Sequence, residues 1–264
     1  FVSEDMSFES RILVDVFKKT GKPSFLLSHG GIHSFYGRGM DSRTDFVGQW
    51  GKIQIDGFVR HGYEKSRFLN IGHPHYCTIP TKLRFTLDNI LVLTRSIQGS
   101  SLHGSPHMED RGKAITYLFK IKDVLTSLGV QQVRLRPHPS ESADWYMSFF
   151  SDKFFTIDSD PLELSLAKSS LVVGPISTVI IDSICNGVNY TLFEPVVGGK
   201  NILGCDTASP LDTLGDKFPW AKSKQELRNV IQSRLAISKN VAQNICKVPF
   251  DSSELRSIIL DKLN

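Results

Sequence analysis

Short apolar runs alternate along the chain with segments whose apolar residues recur every three or four positions, and that alternation sets the expected architecture. In Glu9 to Thr20, Ile12, Leu13, Val16 and Phe17 fall at helical spacing, with Gly21 as a stop and Pro23 beyond it, so a helix is expected there. Ser24 to Leu27 reads as a strand ending in Ser28-His29-Gly30-Gly31. From Ile32 to Gln49 the residues turn to Gly, Ser, Arg and Asp without an apolar period, which predicts a long loop. A short helix over Gln49 to Gly62 and a strand over Arg67 to Ile71 follow, closed by Gly72-His73-Pro74.

Downstream the alternation is cleaner. Ile90 to Thr94 is a continuous apolar strand, while Ile115, Leu118, Phe119, Leu125 and Leu128 mark a helix stopped by Gly129. Val130 to Leu135 is a strand running into Arg136-Pro137-His138-Pro139. Asp160 is the expected N-cap of a helix with Pro161 at its first position. A strand over Ser170 to Val173, a helix over Ser177 to Asn186 and a strand over Tyr190 to Phe193 come next. Ser223-Lys224-Gln225-Glu226 matches a capping box and opens a helix through about Leu235. Apolar strands separated by helices imply βαβ units and a parallel sheet. The implied division is residues 1–87 as the C-terminal part of a Rossmann-like domain plus a crossing, 88–245 as a nearly complete Rossmann-like domain, and 246–264 as a helical tail. Because the chain opens on Phe1 rather than Met, it is expected to belong to a longer protein.

Composition narrows the class. With 264 residues, 40% hydrophobic and 22% charged, disordered and collagen-like chains are excluded. No apolar run reaches the roughly 18 to 20 residues needed to cross a bilayer, so a soluble protein is expected. Lys plus Arg number 31 against 27 for Asp plus Glu, a formal charge of +4. That excess suits anionic small molecules or acidic lipid headgroups and lacks the basic stripe of a nucleic-acid binder. Cys77, Cys185, Cys205 and Cys246 form no CxxC, so neither a zinc site nor a disulfide framework is implied and a reducing compartment is expected.

Candidate chemistry gathers at strand ends. In Arg134-Leu135-Arg136-Pro137-His138-Pro139, strand alternation sends both arginines to one side and the prolines restrain His138. A fixed imidazole beside a guanidinium suits phosphate oxygens; the plainer reading is a structural His at a polar strand end. Gly174-Pro175-Ile176-Ser177-Thr178 joins a strand to a helix, and the N–H groups of a helix start with two hydroxyls suit one phosphate, against simple capping by Ser177. At Ser28-His29-Gly30-Gly31 small residues admit a substrate to the backbone, with His29 as a general base or phosphate contact. Asp41 and Asp45 with Arg38 and Arg43 read as a base or clamp for an anionic sugar, or as an exposed charged loop. Glu194, directly after a strand, stands where such folds hold a ribose. His103 and His107 lack a helical pattern and are not read as a metal pair. No GxxxxGK[ST], no GxGxxG with a following acid and no GxSxG is present, which argues against P-loop kinases, NAD enzymes of the usual pattern and α/β-hydrolases.

Taken in order, FLLSHGG, IGHPHY, ILVLT, VRLRPHPSE, SSLVVGPISTVIIDSICNG and YTLFEP resemble bacterial GT-B glycosyltransferases of surface-polysaccharide assembly. The resemblance is nearest to enzymes using CMP-activated acidic sugars, the Kdo transferases and the sialyl- or polysialyltransferases, which pair an HP motif with a Ser/Thr motif. It implies an α/β, GT-B-like fold of Rossmann-type parallel sheets with helices on both faces, and transfer of a Kdo- or sialic-acid-type sugar from a CMP-sugar to a glycan or glycolipid acceptor. No cofactor and no metal are implied. His138-Pro139 and Ser177-Thr178 carry over to the CMP phosphate, with Arg136, Gly174 and Glu194 as further nucleotide-binding candidates. Gly30, Gly31, Arg38 and Arg43 are the substrate-binding candidates. For the catalytic group His29 and Asp41 are named, with Glu4 and Asp5 also open, so stereochemistry stays open. Rival readings are a CDP-glycerol- or CDP-ribitol-dependent polyol-phosphate transferase, a nucleotide-sugar epimerase of the same fold, and a non-catalytic nucleotide-sugar-binding domain of a larger polymerase. The expected location is the cytoplasm, with peripheral attachment to the inner membrane face through lipid-linked acceptors, and no nucleic-acid partner.

Overall fold

The computed structural model describes residues 8–27, 43–95, 108–150, 152–203 and 210–263. The chain forms two compact units, one of Phe1–Ile79, Thr207–Gly215 and Lys239–Asn264, the other of Pro80–Asp206 and Asp216–Ser238.

The first unit begins with helix α1 (Phe8–Lys19) and contains a parallel sheet in the order β1 (Phe25–Leu27), β2 (Phe46–Gln49), β3 (Phe68–Asn70), with helix α2 (Lys52–Arg60) linking the last two strands. The expected loop over residues 32–49 is corrected at its end, because Phe46–Gln49 is the central strand of this sheet. Four residues interrupted by Gly48 are too few to show a period; pairing on both sides is what makes them a strand. Leu26, Val47, Ile55, Phe58 and Phe68 form the core beneath it. Asp45 is a latch between strand starts rather than a sugar clamp: its Oδ2 accepts from the Ser24 N–H at 2.8 Å and the Ser24 hydroxyl at 2.6 Å, and its own N–H donates back to Ser24 Oγ at 3.1 Å.

In the second unit the chain runs β4 (Ile90–Leu93), α3 (Met108–Ser127), β5 (Val133–Arg136), α4 (Ala143–Met147), β6 (Phe155–Ile157), α5 (Leu162–Lys168), β7 (Leu171–Gly174), α6 (Val179–Cys185), β8 (Tyr190–Phe193), the antiparallel pair β9 (Val196–Val197) and β10 (Lys200–Asn201), β11 (Trp220–Ala221) and α7 (Lys224–Gln232). The main sheet is parallel throughout, in the order β11-β8-β7-β4-β5-β6. Counted from β4 as its first strand, this is the doubly wound order 3-2-1-4-5-6. Strands β4, β7 and β8 are buried at every position, which is why they read as unbroken apolar runs. β5 alternates instead: Val133 and Leu135 enter the core with α3, and Arg134 and Arg136 emerge half-buried on the other side.

The expected Ser223 cap forms, its Oγ accepting the Glu226 N–H at 3.1 Å at the start of α7, while the Glu226 carboxylate accepts the N–H of Lys222, one residue before the cap, at 2.8 Å. The start of α5 differs from expectation. Pro161 is its N-cap, without a side-chain cap, and the Asp160 carboxylate pairs with Lys168 at 2.6 Å.

Gly174, at the end of β7, has no room for a side chain. A Cβ there would lie 2.2 Å from the hydroxyl oxygen of Tyr190 and 3.1 Å from Leu93 Cβ, and Tyr190 is fully buried with its hydroxyl donating to the Pro175 carbonyl at 2.5 Å. Gly174→Ala is expected to cost about 1–3 kcal/mol in denaturant unfolding. Adding Tyr190→Phe, which removes the nearest atom, should restore part of that loss; a single variant as stable as the parent would show that the crowding relaxes freely.

Helices α8 (Lys239–Ile245) and α9 (Ser252–Leu263) belong to the first unit, so the second ends at Ser238 rather than 245, and residues 246–264 are part of a fold rather than a tail. The Lys247 N–H donates to the Trp50 carbonyl at 2.7 Å, and the His73 N–H donates to the Lys247 carbonyl at 3.0 Å. Gly72 stands at φ +83°, where a Cβ would meet the Lys247 carbonyl oxygen at 2.7 Å, so glycine suits this close passage.

His73 is buried against Trp50, ring centroids 4.2 Å apart. Burial first, and the neighbouring His75 second, push its pKa down from 6.5 to about 4. The folded state therefore keeps this imidazole neutral where the unfolded chain already binds a proton. Its contribution is full above pH 6.5 and declines as pH falls toward about 4, where the folded state protonates too. Unfolding free energies measured across that window should fall with pH, and His73→Phe should flatten the slope; an unaltered slope in the variant would assign it elsewhere.

Candidate functional site

In the doubly wound order the strand sequence reverses between β4 and β7, and such sheets bind ligands beyond the carboxyl ends of the strands at that point. Thr94 and Arg95 follow β4, His138 follows β5, Gly174–Thr178 ends β7 and starts α6, and Glu194 follows β8.

A network of hydrogen bonds holds the His138 turn. Its N–H lies 2.9 Å from Thr94 Oγ1 and 3.1 Å from Glu141 Oε2. The Thr94 hydroxyl donates to Glu141 Oε2, and the Tyr146 hydroxyl donates to Glu141 Oε1 at 2.8 Å. Burial pushes the Glu141 carboxyl above its ordinary range, opposed by the hydrogen bonds from Thr94 and Tyr146. The ring is held from below as well: the Ser140 N–H donates to Nδ1 at 3.2 Å, and Ser140 Oγ lies 2.7 Å from the same nitrogen. Nδ1 is thereby an acceptor, so the neutral ring carries its proton on Nε2. His138 and Pro139 are both exposed. The turn thus offers a positioned N–H donor on a rigid strand end.

At the β7–α6 junction the two hydroxyls behave differently. Ser177 Oγ accepts the Val179 N–H at 3.2 Å, while Thr178 occupies the N-cap position without a side-chain cap bond. The shape of this junction depends on Glu194, which is 3% exposed. Its Oε1 accepts the Ile176 N–H at 2.7 Å, its Oε2 accepts from Asn201 Nδ2, and Arg95 Nη1 stands 3.8 Å from Oε1. Arg95 is fixed in turn by donating to the Leu203 carbonyl at 3.1 Å. Glu194 was expected to hold a ribose; in the structure its buried carboxylate is met by these partners, which support the loop.

Arg136 meets a similar fate. Arg134 Nη1 and Arg136 Nη1 lie 2.6 Å and 2.9 Å from the two oxygens of Asp158, whose side chain is 1% exposed. Arg134 also donates to the Ser165 carbonyl at 3.1 Å and to Ser169 Oγ at 2.6 Å, and Arg136 Nη1 to Ser165 Oγ at 3.2 Å. The arginines do share a side of β5, as alternation requires, but the anion they meet there is Asp158. Arg136 is accordingly a framework residue, tying β5 to the β6–α5 connection.

Of the expected site residues, His138, Pro139, Gly174, Ser177 and Thr178 therefore come to the carboxyl edge of one sheet. His29, Gly30, Gly31, Arg38 and Asp41 lie outside the described residues, as do Glu4 and Asp5. Arg43 is exposed in the first unit, its Nη1 3.5 Å from Asp15 Oδ2 on α1. Sequence reasoning missed Thr94, Arg95, Asp158 and Asn201. The first two carried a usable signal, because they directly follow an apolar strand at the edge where α/β sheets bind ligands. Among the described residues no cluster of three His, Cys, Asp or Glu could hold a metal ion, and no helix is long and apolar enough to cross a membrane.

No family model and no curated protein matches the sequence. Solved structures do match. UDP-GlcNAc 2-epimerase of Methanocaldococcus jannaschii, in complex with UDP-GlcNAc and UDP, superposes with a TM-score of 0.53 at 10% identity, over 96% of this chain and 78% of that one. The H444N variant of the wall teichoic acid polymerase TagF gives 0.51 at 13% identity, over 92% and 69%. MurG of Acinetobacter baumannii gives 0.51 at 10% identity, over 94% and 70%. At such identities the likeness concerns the fold, which is of the GT-B type, with parallel sheets flanked by helices.

Proposed function

We propose that this chain is a nucleotide-sugar-dependent glycosyltransferase whose donor is a CMP-activated acidic sugar. One observation carries the reading: the His138 turn, with its proton assigned to Nε2, and the Ser177-Thr178 helix start stand at the carboxyl ends of β5 and β7, which flank β4. Adjacent strands are about 4.8 Å apart, so these groups are about 10 Å apart across the sheet, a span suited to a nucleoside monophosphate. The pairing of an HP turn with a Ser-Thr helix start favours CMP, whose single phosphate needs one such cradle.

In the proposed reaction an acceptor hydroxyl gives its proton to a base, for which His29 and Asp41 are the candidates, as its oxygen attacks the anomeric carbon; the bond from that carbon to the phosphate oxygen breaks, and CMP leaves with the electron pair. Charge growing on the phosphate is met by the Nε2–H of His138 and by the Thr178 and Ser177 hydroxyls. These donors are positioned before the reaction, so little reorganisation opposes the charge as it forms. Thr94 and Glu141 contribute by holding the His138 backbone, and Glu194 by holding the Ile176 N–H. The proposal requires no metal ion. The acceptor is a glycan or glycolipid, met at the protein's peripheral contact with a membrane.

Calorimetric titration of the full chain with CMP, CDP, UMP and UDP tests the donor. CMP should bind most tightly, and transfer from a CMP-sialic acid or CMP-Kdo donor should persist in EDTA. Preference for UDP would overturn the CMP reading in favour of UDP-sugar chemistry, transfer or epimerisation. Preference for CDP would point to polyol-phosphate transfer, and no binding to any nucleotide would leave a non-catalytic domain.

A further inference from the structure

We propose that a groove at the amino-terminal edge of the second unit's sheet, remote from the His138 edge, binds a phosphate monoester with an apolar body, its phosphate held by Lys82 and Arg234. The groove encloses about 750 Å³ and is built from residues 81–86, which lead into β4, from Ser170 just before β7, and from Arg234 and residues 236–238 after α7. It therefore lies where the strands begin, whereas the nucleotide reading concerns where they end. Four-residue strands separate the two edges by about 13 Å.

The lining has one sign of charge. Lys82, Arg84 and Arg234 contribute to it, and among the described residues no carboxylate does. The cations differ in what else they do. Arg84 is part of the wall, donating from Nε to the Ser169 carbonyl at 3.0 Å and from Nη2 to the carbonyls of Leu166 at 3.0 Å and Asn186 at 3.1 Å. Lys82 and Arg234 are exposed, and neither forms an ion pair among the described residues. Two cations of this kind, one a guanidinium with a planar fork, match a phosphate dianion. Leu83, Phe85 and Ile237 line the same groove, which gives an apolar body of the ligand a surface to cover.

The conformation of Arg234 is an independent indication. Helix α7 ends in a Schellman turn, in which the Arg234 N–H donates to the Ile231 carbonyl at 3.1 Å and the Leu235 N–H to the Val230 carbonyl at 3.2 Å. Such a turn requires a left-handed residue, and Arg234 is held at φ +50°. Glycine adopts that conformation without strain and arginine does not. The chain carries, at a position whose backbone favours glycine, a long cation that reaches the groove. A role for the side chain there explains a residue that local stability would disfavour.

Arg234→Gly separates binding from folding, because it removes the cation and relieves the backbone together. Octyl phosphate, inorganic phosphate and octyl glucoside serve as probes, titrated into the full chain below micelle-forming concentrations. Octyl phosphate should bind, inorganic phosphate should bind at least tenfold more weakly, and the neutral glucoside should not compete. Arg234→Gly should weaken octyl phosphate at least tenfold while raising the Tm, Lys82→Ala should weaken it comparably, and His138→Ala should leave it unchanged. Co-sedimentation with vesicles containing phosphatidic acid, lost in Arg234→Gly, would identify a lipid as the source of the phosphate; octyl phosphate binding without co-sedimentation would identify a soluble ester. The proposal is overturned if both cation variants bind octyl phosphate as the parent does, if octyl glucoside binds equally well, or if His138→Ala abolishes the binding.

Discussion

Asp158→Ala is expected to remove about 3–5 kcal/mol of folding stability, the largest effect of any single substitution considered for this chain. Asp158 is the shared counter-charge of Arg134 and Arg136, at 2.6 Å and 2.9 Å, and its side chain is 1% exposed. Removing it leaves two guanidinium groups facing each other on one side of β5 with no anion between them. It also removes the acceptor of the Ser165 hydroxyl at the inner face of α5. Asp158→Asn keeps the shape and an acceptor oxygen and should cost less than the alanine change. Equilibrium denaturation of both variants measures the difference. Because the arginine side chains retain 20% and 25% exposure, partial hydration can offset part of the cost. A loss below about 1 kcal/mol would mean that this hydration is sufficient and that the triad is a surface feature in energetic terms. The effect should reach function as well, since β5 carries the His138 turn directly beyond Arg136 and a displaced strand end would weaken CMP binding.

His138→Ala is expected to weaken CMP binding by about 10- to 100-fold with little change in Tm. One hydrogen bond to a charged group contributes about 1.5–3 kcal/mol, and each 1.4 kcal/mol is tenfold in affinity. The ring is exposed and its hydrogen-bonding contacts within the fold are to its near neighbour Ser140, so its loss opens no cavity. The stabilising bonds of the turn, from the His138 N–H to Thr94 and Glu141, belong to the backbone and survive the substitution. Affinity measured by calorimetry and stability measured by thermal melting therefore report different atoms of one residue. Unchanged CMP affinity would make the turn purely structural and would remove the main support for the nucleotide reading.

The difference between these two residues shows how far the sequence can be read. Both are polar groups at a strand end, and nothing in their immediate neighbours distinguishes a histidine that faces outward from an aspartate that faces inward. The apolar runs at 90–93, 171–174 and 190–193 were legible because burial on both faces leaves no polar position to interrupt them. The Ser223 cap of α7 was legible because its partners are three residues apart. By contrast Phe46–Gln49, β6 and α4 were invisible, each being five residues or shorter and defined by what it packs against.

The sequence by itself thus determined the alternation of strands and helices, the parallel sheet that follows from it, and the local stiffness of the His138-Pro139 turn. All of these arise from residues within one or two helical turns of each other. Only the tertiary structure decided which charged groups face the crevice and which serve as framework. Arg136 finds its anion in Asp158, 22 residues away, Glu194 finds an amide donor in Ile176, 18 residues away, and Gln54 reaches the Ile245 carbonyl across 191 residues. The physical reason is that a charge in a folded protein takes its role from the nearest opposite charge or hydrogen-bond donor in space, and in a doubly wound sheet those neighbours come from strands and helices far apart in the chain.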